Sequence, residues 1–313
     1  CAGLDEFPRE DYEVASEMIR PDAILVRSFK MHEMEIPPSV LAIARAGAGT
    51  NNIPVEKCTE RGIAVFNTPG ANANSVKELV LTALLISSRR IIEGINWVQD
   101  LKGQGDEVPK VIEKEKKNFA GPEIKGKILG VIGLGAIGVM VANAAVSLGM
   151  HVVGFDPFIS IESAWGLSSR VKRAKGLETI LSDSDYVSIH VPLTPETKGI
   201  LNYERFKQMR RQPRVLNFAR GGLVNNEDLK KALEAELIKG YITDFPEDDL
   251  LHIPKVLCIP HLGASTPEAE ENCSVMAVKQ LRDYLEYGNI RNSINFPACS
   301  MNWAKESETR IIV

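Results

Sequence analysis

The sequence predicts an α/β protein with doubly wound parallel sheets. Short apolar runs of strand length alternate with helical patterns in residues 23–66 and again in residues 128–259. A glycine-rich turn joins the strand predicted at 128–132 to a helix, as in nucleotide-binding folds of this class. Parallel strands need helical crossovers, so we expect helices on both faces of the sheet. The length of 313 residues favours two domains of ordinary size.

Composition excludes several classes of partner. Hydrophobic residues make up 44% and charged residues 25% of the chain, and the formal net charge is −4. This slight acidity argues against nucleic acid and anionic membranes as partners, and no apolar run approaches the ~20 residues of a membrane span. The five cysteines are scattered without a C-x-x-C pair, so we expect reduced thiols and neither disulfides nor a metal site. No signal peptide is visible, and we expect a cytoplasmic protein.

The first third of the chain alternates short strands with helices. Its strands are predicted at 23–26, 41–44 and 63–66, and a short helix at 55–61. A long helix is predicted from Ser75 to Val98, because Ser75 and Glu78 have the spacing of a capping box before an apolar stretch. The charged residues 101–121 are predicted to form a solvated loop.

Residues 128–259 contain the complete alternation of a doubly wound unit. The predicted strands lie at 128–132, 152–155, 186–191, 215–218, 241–243 and 256–259. The predicted helices lie at 136–148, 177–182, 203–209 and 226–237. An amphipathic helix is predicted at 268–287, and residues 310–313 resemble the start of a further strand.

A dinucleotide-binding turn is predicted directly after the strand at 128–132. Gly133, Gly135 and Gly138 have the G-x-G-x-x-G spacing. The first glycine permits the tight turn, the second lets the backbone approach a pyrophosphate, and the third lets the helix pack on its strand. The backbone N–H groups of Ala136 and Ile137, at the start of that helix, then face the phosphates.

Asp156 indicates which dinucleotide binds. It follows the second strand of the region, where a carboxylate that accepts from a ribose 2′-OH is expected. Pro157 and Phe158 come next, without an arginine to accept a 2′-phosphate. The sequence therefore predicts NAD as the cofactor.

Three polar residues follow later strands of the same sheet, namely Arg220, Asp244 and His261. The carboxyl ends of parallel strands meet at the edge where ligands bind. Arg220 can hold a carboxylate with two parallel hydrogen bonds. His261 can take a hydroxyl proton while hydride leaves for the nicotinamide, because its pKa lies near working pH. These residue types predict hydride transfer from a hydroxy acid.

Four ordered motifs together resemble the D-isomer-specific 2-hydroxyacid dehydrogenase family. They are residues 133–138, 190–194, 217–222 and 260–266. The resemblance implies two Rossmann-like domains, with an NAD-binding domain in residues 75–263. It implies a substrate domain formed by both chain ends, in residues 1–74 and 264–313. It also implies a homodimer or homotetramer that pairs through the NAD domain.

Within the family, the chain is most similar to the branch that oxidises D-3-phosphoglycerate to 3-phosphohydroxypyruvate, the first step of L-serine biosynthesis. The resemblance implies Arg220 and His261 as catalytic residues. The expected cofactor-binding residues are Gly133, Gly135, Ala136, Ile137, Gly138, Asp156, His190, Val191, Pro192, Thr197, Ala219, Asp244 and Gly263. The expected substrate-binding residues, for a phosphate and a carboxylate, are Arg27, Ser28, Arg45, Gly47, Ala48 and Gly49.

One catalytic position departs from the family pattern. Family members carry a glutamate about five residues after the aspartate that matches Asp244, and this glutamate pairs with the histidine. In this chain Asp249 matches that glutamate by position and Glu247 matches it by residue type. The sequence leaves the choice between them open. Without a carboxylate neighbour, the pKa of His261 would be lower, which favours the neutral base.

Two alternative functions follow from the same residues. The first is a glyoxylate/hydroxypyruvate reductase, or another D-2-hydroxyacid dehydrogenase without phosphate specificity. The second is a non-catalytic NAD-sensing scaffold, like the transcriptional co-repressor branch of the family, which would bind NAD without turnover.

Many members of the phosphoglycerate branch carry a serine-sensing domain after the position of Val313, and we expect no serine feedback through such a domain here.

Overall fold

A computed structural model of the chain describes residues 2–301. The chain forms two compact units. Unit 1 comprises the residues up to Ser75 together with those from Ala264 onward, and unit 2 spans Val76–Gly263. The strand predicted at 310–313 lies outside the described residues. Within residues 2–301, no helix combines the length and the apolar composition needed to cross a membrane.

The α/β fold is confirmed, with parallel sheets in both units. The strands are β1 (Ala23–Val26), β2 (Ala42–Arg45), β3 (Ala64–Phe66), β4 (Ile128–Ile132), β5 (His151–Phe155), β6 (Lys172–Arg173), β7 (Tyr186–Ile189), β8 (Arg214–Asn217), β9 (Gly240–Thr243) and β10 (Val256–Cys258). The helices are α1 (Val55–Glu60), α2 (Ala73–Ser88), α3 (Ile91–Gln99), α4 (Val108–Glu115), α5 (Ala136–Ser147), α6 (Ile161–Gly166), α7 (Leu177–Asp183), α8 (Tyr203–Phe206), α9 (Asn226–Glu234) and α10 (Pro267–Tyr287). Short 3-10 helices lie at Ala2–Glu6, Gly105–Glu107, Lys116–Phe119 and Asp248–Leu250.

Unit 1 contains a three-stranded parallel sheet in the order β1-β2-β3. Helix α10 covers one face, where Leu281 packs in one apolar cluster with Phe66 of β3. On the other face, Ile43 of β2 packs with Cys58 of α1. Helix α10 begins at a Thr266 cap, whose hydroxyl accepts from the Ala269 N–H at 3.1 Å. Both chain ends therefore build this unit.

Unit 2 contains a seven-stranded parallel sheet in the order β10-β9-β8-β7-β4-β5-β6. Neighbouring residues of its strands, such as Tyr186 and Val187 of β7, belong to two different apolar clusters. Because successive side chains of a strand point to opposite faces, the clusters lie on the two sides of the sheet. The strand order reverses at β4, which has β5 on one side and β7 on the other. Such a switch point is where doubly wound sheets bind ligands.

The helix predicted from Ser75 to Val98 is two helices, α2 and α3. Helix α2 also begins two residues earlier, at Ala73, so the predicted capping box is wrong. The backbone of Gly121 lies so close to the Ser88 carbonyl that a side chain on Gly121 would collide with it. The Ser88 hydroxyl also donates to the Leu84 carbonyl at 2.9 Å, a contact that bends helices. A chain crossing from a distant segment thus ends α2.

The charged residues 101–121 are exposed as predicted but are not a loop. They form α4 between two 3-10 turns. Ion pairs three residues apart stabilise it, including Lys110–Glu107 at 2.7 Å. The rings of Trp97 and Phe119 pack with centroids 5.2 Å apart and fix the segment to α3. The other predicted helices and strands occur with ends shifted by a few residues, whereas α6 and β6 were not predicted.

Candidate active site

The glycine turn after β4 has the geometry that its spacing predicts. Gly133 has a φ of +92°, and a Cβ there would lie 2.7 Å from the carbonyl oxygen of His190, after β7. A Cβ on Gly138 would collide with the carbonyl oxygen of Gly133. The turn is therefore closed from one side by the neighbouring strand and from the other by α5. Only glycine fits at both positions.

Gly135 differs from its two neighbours in the motif. A Cβ on Gly135 would meet no atom within 4 Å. Gly135 is the N-cap of α5, and no side chain caps that helix end. The first N–H groups of α5, including those of Ala136 and Ile137, therefore face open space at the positive end of the helix dipole. A pyrophosphate fits this arrangement.

Asp156, immediately after β5, is tied to the same turn. Its Oδ2 accepts from the Leu134 N–H at 2.8 Å, and its Oδ1 accepts from the Phe158 N–H at 2.8 Å. Each carboxylate oxygen keeps a second lone pair, so the group can also accept from a ribose hydroxyl. The turn and Asp156 together fit the adenosine half of NAD.

His190 lies beneath the glycine turn with a buried imidazole. Its Nε2 shares a hydrogen bond with the Ser188 hydroxyl at 2.8 Å, and its Nδ1 is buried without a partner among residues 2–301. Burial lowers the pKa of His190 from 6.5 to about 4. The ring is therefore neutral at pH 7. The Thr197 hydroxyl likewise bonds within its own loop, donating to the Pro192 carbonyl at 2.6 Å.

Asn217, the last residue of β8, sets the loop that carries Arg220. Its Oδ1 accepts from the Ala219 N–H at 3.2 Å, and its Nδ2 donates to the Arg220 carbonyl at 2.9 Å. The Arg220 side chain is exposed, and Nη1 donates to the Ala219 carbonyl at 2.7 Å. No carboxylate of the described chain forms an ion pair with Arg220. Its remaining N–H donors can therefore bind a substrate carboxylate.

His261 follows β10 and is exposed. The ring of Phe245 packs on its imidazole, with the two centroids 4.7 Å apart. Asp244, which precedes Phe245 at the end of β9, is only 1% exposed. Burial raises the pKa of Asp244, while the charges of His261 and then Arg220 act to lower it. Arg220, Asp244 and His261 thus follow β8, β9 and β10 at one edge of the sheet, and the two cations favour the ionised form of Asp244.

Glu247 and Asp249, the two predicted partners of His261, are held by α9. The Asn226 amide donates to Glu247 Oε2 at 3.0 Å and to Asp249 Oδ1 at 3.0 Å. Lys230, one turn further along α9, donates to Asp249 Oδ2 at 3.0 Å. Both carboxylates are therefore engaged by the first turns of this helix.

In unit 1, the carbonyl groups of the loop that follows β2 accept hydrogen bonds from other residues of the same unit. The Gly47 oxygen accepts from the Thr68 N–H at 3.1 Å, the Ala48 oxygen accepts from the Asn67 amide at 2.6 Å, and the Gly49 oxygen accepts from the Arg45 guanidinium. Within residues 2–301, no acceptor takes the N–H groups of Ala48 and Gly49. These two donors suit the substrate carboxylate that the family resemblance implies for this loop.

The two arginines expected to bind the phosphate differ in their present partners: Arg45 contacts backbone carbonyls, and Arg27 forms an ion pair. Arg45 donates through Nε to the Arg27 carbonyl at 3.0 Å and through Nη1 to Gly49, so it joins the ends of β1 and β2. Arg27 points its guanidinium at Glu270, in the first turn of α10, with Nη2 2.7 Å from Oε1. Both members of this ion pair are about half exposed. The neighbouring Ser28 is exposed.

Two asparagines with a role in this site were not singled out from the sequence. Asn217 lies within the motif 217–222, and its place at a strand end was the signal that could have found it. Asn226 offers no such signal, because its partners lie about twenty residues further along the chain.

Comparisons with known proteins bear on the family, the fold and the cofactor. Residues 81–263 match the model of the D-isomer specific 2-hydroxyacid dehydrogenase, NAD binding domain. This match confirms NAD as the predicted cofactor. Among curated proteins, the chain is 33% identical to a D-3-phosphoglycerate dehydrogenase of Archaeoglobus fulgidus over 91% of its own length and 54% of that protein. The chain thus spans about half the length of the curated relatives it matches.

Solved structures share the fold. A NAD+-bound 3-phosphoglycerate dehydrogenase from Entamoeba histolytica aligns with a TM-score of 0.68 at 29% identity, covering 88% of this chain and 82% of that one. A glyoxylate reductase from Paecilomyes thermophila aligns with a TM-score of 0.71 at 25% identity, covering 87% and 83%.

Proposed function

This chain belongs to the D-isomer-specific 2-hydroxyacid dehydrogenase family, and we propose that it oxidises D-3-phosphoglycerate to 3-phosphohydroxypyruvate with NAD. One observation carries the proposal: Arg220 has no carboxylate partner among residues 2–301, and its charge, like that of His261, acts on the buried Asp244. An unpaired guanidinium beside a histidine at the cofactor edge suits a substrate that is both a carboxylate and an alcohol.

Each residue has a defined task in this reaction. Arg220 binds the substrate carboxylate through two parallel N–H donors and orients the hydroxyl at C2. His261 accepts the hydroxyl proton as the C2–O bond becomes a carbonyl. NAD held at the glycine turn would supply the nicotinamide ring to which the hydride on C2 is transferred. In the reverse direction, the imidazolium of His261 returns the proton.

Unit 1 supplies the proposed phosphate contacts through Arg27. An ion pair as exposed as Arg27–Glu270 is worth about 0–1 kcal/mol, so a phosphate dianion can displace the Glu270 carboxylate. Arg45 then fixes the backbone of the site, because it donates hydrogen bonds to the Arg27 and Gly49 carbonyls. The proposal of a phosphorylated substrate also rests on the similarity to D-3-phosphoglycerate dehydrogenases.

Kinetics with three acids test the substrate. We expect kcat/KM for D-3-phosphoglycerate to exceed that for D-glycerate and D-lactate. Arg27→Ala should lower kcat/KM for D-3-phosphoglycerate by about 10–100-fold, the value of a charged hydrogen bond, and leave D-glycerate unaffected. Arg20→Ala, another exposed arginine of unit 1, is the matched control. Equal losses for both substrates in Arg27→Ala would contradict the phosphate assignment.

The Arg27–Glu270 ion pair also favours the second candidate, a reductase of glyoxylate or hydroxypyruvate. In this pair Glu270 already neutralises the arginine, which suits a substrate without phosphate. A kcat/KM for hydroxypyruvate or glyoxylate above that for 3-phosphohydroxypyruvate would establish this alternative.

We infer further that the enzyme is cytoplasmic, which the free cysteines of residues 2–301 support.

We also infer that the enzyme is a homodimer. Support for the dimer comes from α3, whose Ile92, Ile95 and Val98 are exposed at helical spacing. Leu85 of α2 is exposed as well. Apolar side chains in this arrangement suit a contact between two copies of unit 2.

A further inference from the structure

The buried amide of Asn217, at the end of β8, has an acceptor for each of its N–H groups. One N–H donates to the Arg220 carbonyl at 2.9 Å, and the other donates to the Tyr241 hydroxyl at 3.2 Å. The amide oxygen accepts from the Ala219 N–H at 3.2 Å. Asn217 is 1% exposed, so its amide depends on these protein partners. The Tyr241 hydroxyl therefore completes the hydrogen bonding of the amide.

Tyr241 lies on the neighbouring strand β9 and is 2% exposed. Burial raises the pKa of Tyr241 to about 12, while hydrogen bonds from the Thr243 and Asn217 side chains act to lower it. The phenol is thus neutral at pH 7 and can accept the Asn217 N–H. Thr243 is the register partner of Asn217 across β8 and β9, and Tyr241 precedes Thr243 by two residues. The three polar side chains therefore lie on one face of the sheet.

The Asn217 amide fixes both peptide groups that orient the Arg220 side chain. It bonds the N–H of Ala219 and the carbonyl of Arg220. The Arg220 guanidinium in turn donates to the Ala219 carbonyl at 2.7 Å. Removing the Tyr241 hydroxyl would take away the acceptor of one buried N–H, which is costly. The amide would then rotate towards another acceptor and loosen its bonds to the loop.

We propose that Tyr241 is a positioning residue for Arg220, and that it acts through the Asn217 amide. This assignment rests on the proposed function, in which the Arg220 guanidinium binds the substrate carboxylate. A guanidinium whose loop is fixed in advance binds the carboxylate without first ordering its own backbone. The Tyr241 hydroxyl thus raises the efficiency of a reaction that takes place on the far side of Asn217.

Tyr241→Phe removes only this hydroxyl, and Tyr186→Phe is its matched control. Tyr186 of β7 is 1% exposed, and its hydroxyl shares a 2.8 Å hydrogen bond with the Ser88 hydroxyl. Each variant therefore loses one buried phenol oxygen of unit 2. With NAD and D-3-phosphoglycerate, Tyr241→Phe should lower kcat/KM by about tenfold and leave the Kd for NAD unchanged. Tyr186→Phe should keep the kcat/KM of the parent, and thermal melting confirms that both variants fold.

A second arginine variant separates positioning from a general structural role. Arg220→Lys keeps the charge but removes the planar pair of donors. In this background Tyr241→Phe should lower kcat/KM by less than about threefold, because the two-donor contact that it positions is already gone. An equal fold-loss in the parent and in the Arg220→Lys background would overturn the proposal, since Tyr241 would then act independently of Arg220.

Amide hydrogen exchange tests the same contacts in the full chain without substrate. The loop at 218–222 should exchange faster in Tyr241→Phe than in the parent or in Tyr186→Phe, because the Ala219 N–H depends on the Asn217 oxygen. Unchanged exchange of this loop in Tyr241→Phe would overturn the proposal. If the parent oxidises no D-2-hydroxy acid, the proposed function fails, and the exchange measurement still decides whether Tyr241 holds the loop.

Discussion

The Asp156 carboxylate accepts a 2.8 Å hydrogen bond from the backbone N–H of Leu134, and so joins the end of β5 to the glycine turn after β4. The acid expected to select the ribose is thereby fixed to the turn expected to hold the pyrophosphate. Both oxygens of Asp156 accept from backbone N–H groups, which fixes the orientation of the carboxylate expected to exclude a 2′-phosphate.

Replacing Asp156 should change the preference between the two dinucleotides. Asp156→Ser removes the charge and one acceptor, so kcat/KM for NAD should fall by about 10–100-fold while that for NADP rises or stays constant. Steady-state kinetics with both cofactors measure the ratio. Asp183→Ser, an exposed acid of the same unit, serves as control. An unchanged NAD/NADP ratio would show that Asp156 does not contact the ribose.

The buried His190 should make the protein sensitive to acid. Its folded pKa of about 4 lies below the ordinary 6.5, so the neutral form stabilises the fold. This stability is fully present above pH 6.5 and is lost as the pH falls from 6.5 towards 4, by about 3 kcal/mol in total. His190→Gln should therefore lose less free energy of unfolding between pH 7 and pH 5 than the parent. Urea unfolding at both pH values measures this, with the exposed His151→Gln as control. Equal losses of unfolding free energy between pH 7 and pH 5 in the parent and in His190→Gln would contradict this prediction.

A charge on α3 should separate the proposed dimer. Ile95 is 52% exposed, and Ile95→Glu would place a carboxylate within the apolar surface formed with Ile92 and Val98. Burying an unpaired charge at an interface is strongly unfavourable, so this variant should sediment as a monomer where the parent is a dimer. Ile161→Glu, at an exposed apolar residue of α6, should remain dimeric. A parent that is itself monomeric, or a dimer retained in Ile95→Glu, would refute this interface.

The sequence predicted the features whose causes are local. The glycine spacing, the acid at the end of β5, and the Arg220 and His261 positions after their strands all follow from residues near one another in the chain. Strand and helix order followed from apolar patterning, which the parallel sheets confirm.

Contacts between distant segments decided the rest. The break between α2 and α3 depends on Gly121 crossing Ser88, about thirty residues away. The engagement of Glu247 and Asp249 depends on one amide of Asn226 in another helix. Sequence spacing could compare Glu247 and Asp249 with the family's glutamate. It could not show that both accept hydrogen bonds from Asn226, or that Asp244 is buried.

Reduction of NAD by D-3-phosphoglycerate in the parent and in His261→Ala, read from NADH formation, tests the central claim most directly. The parent should turn over, and His261→Ala should lose at least about 10²-fold in kcat while it still binds NAD, because the general base is gone and the glycine turn is intact. A parent that binds NAD but oxidises no D-2-hydroxy acid, or a His261→Ala variant with full activity, would contradict it.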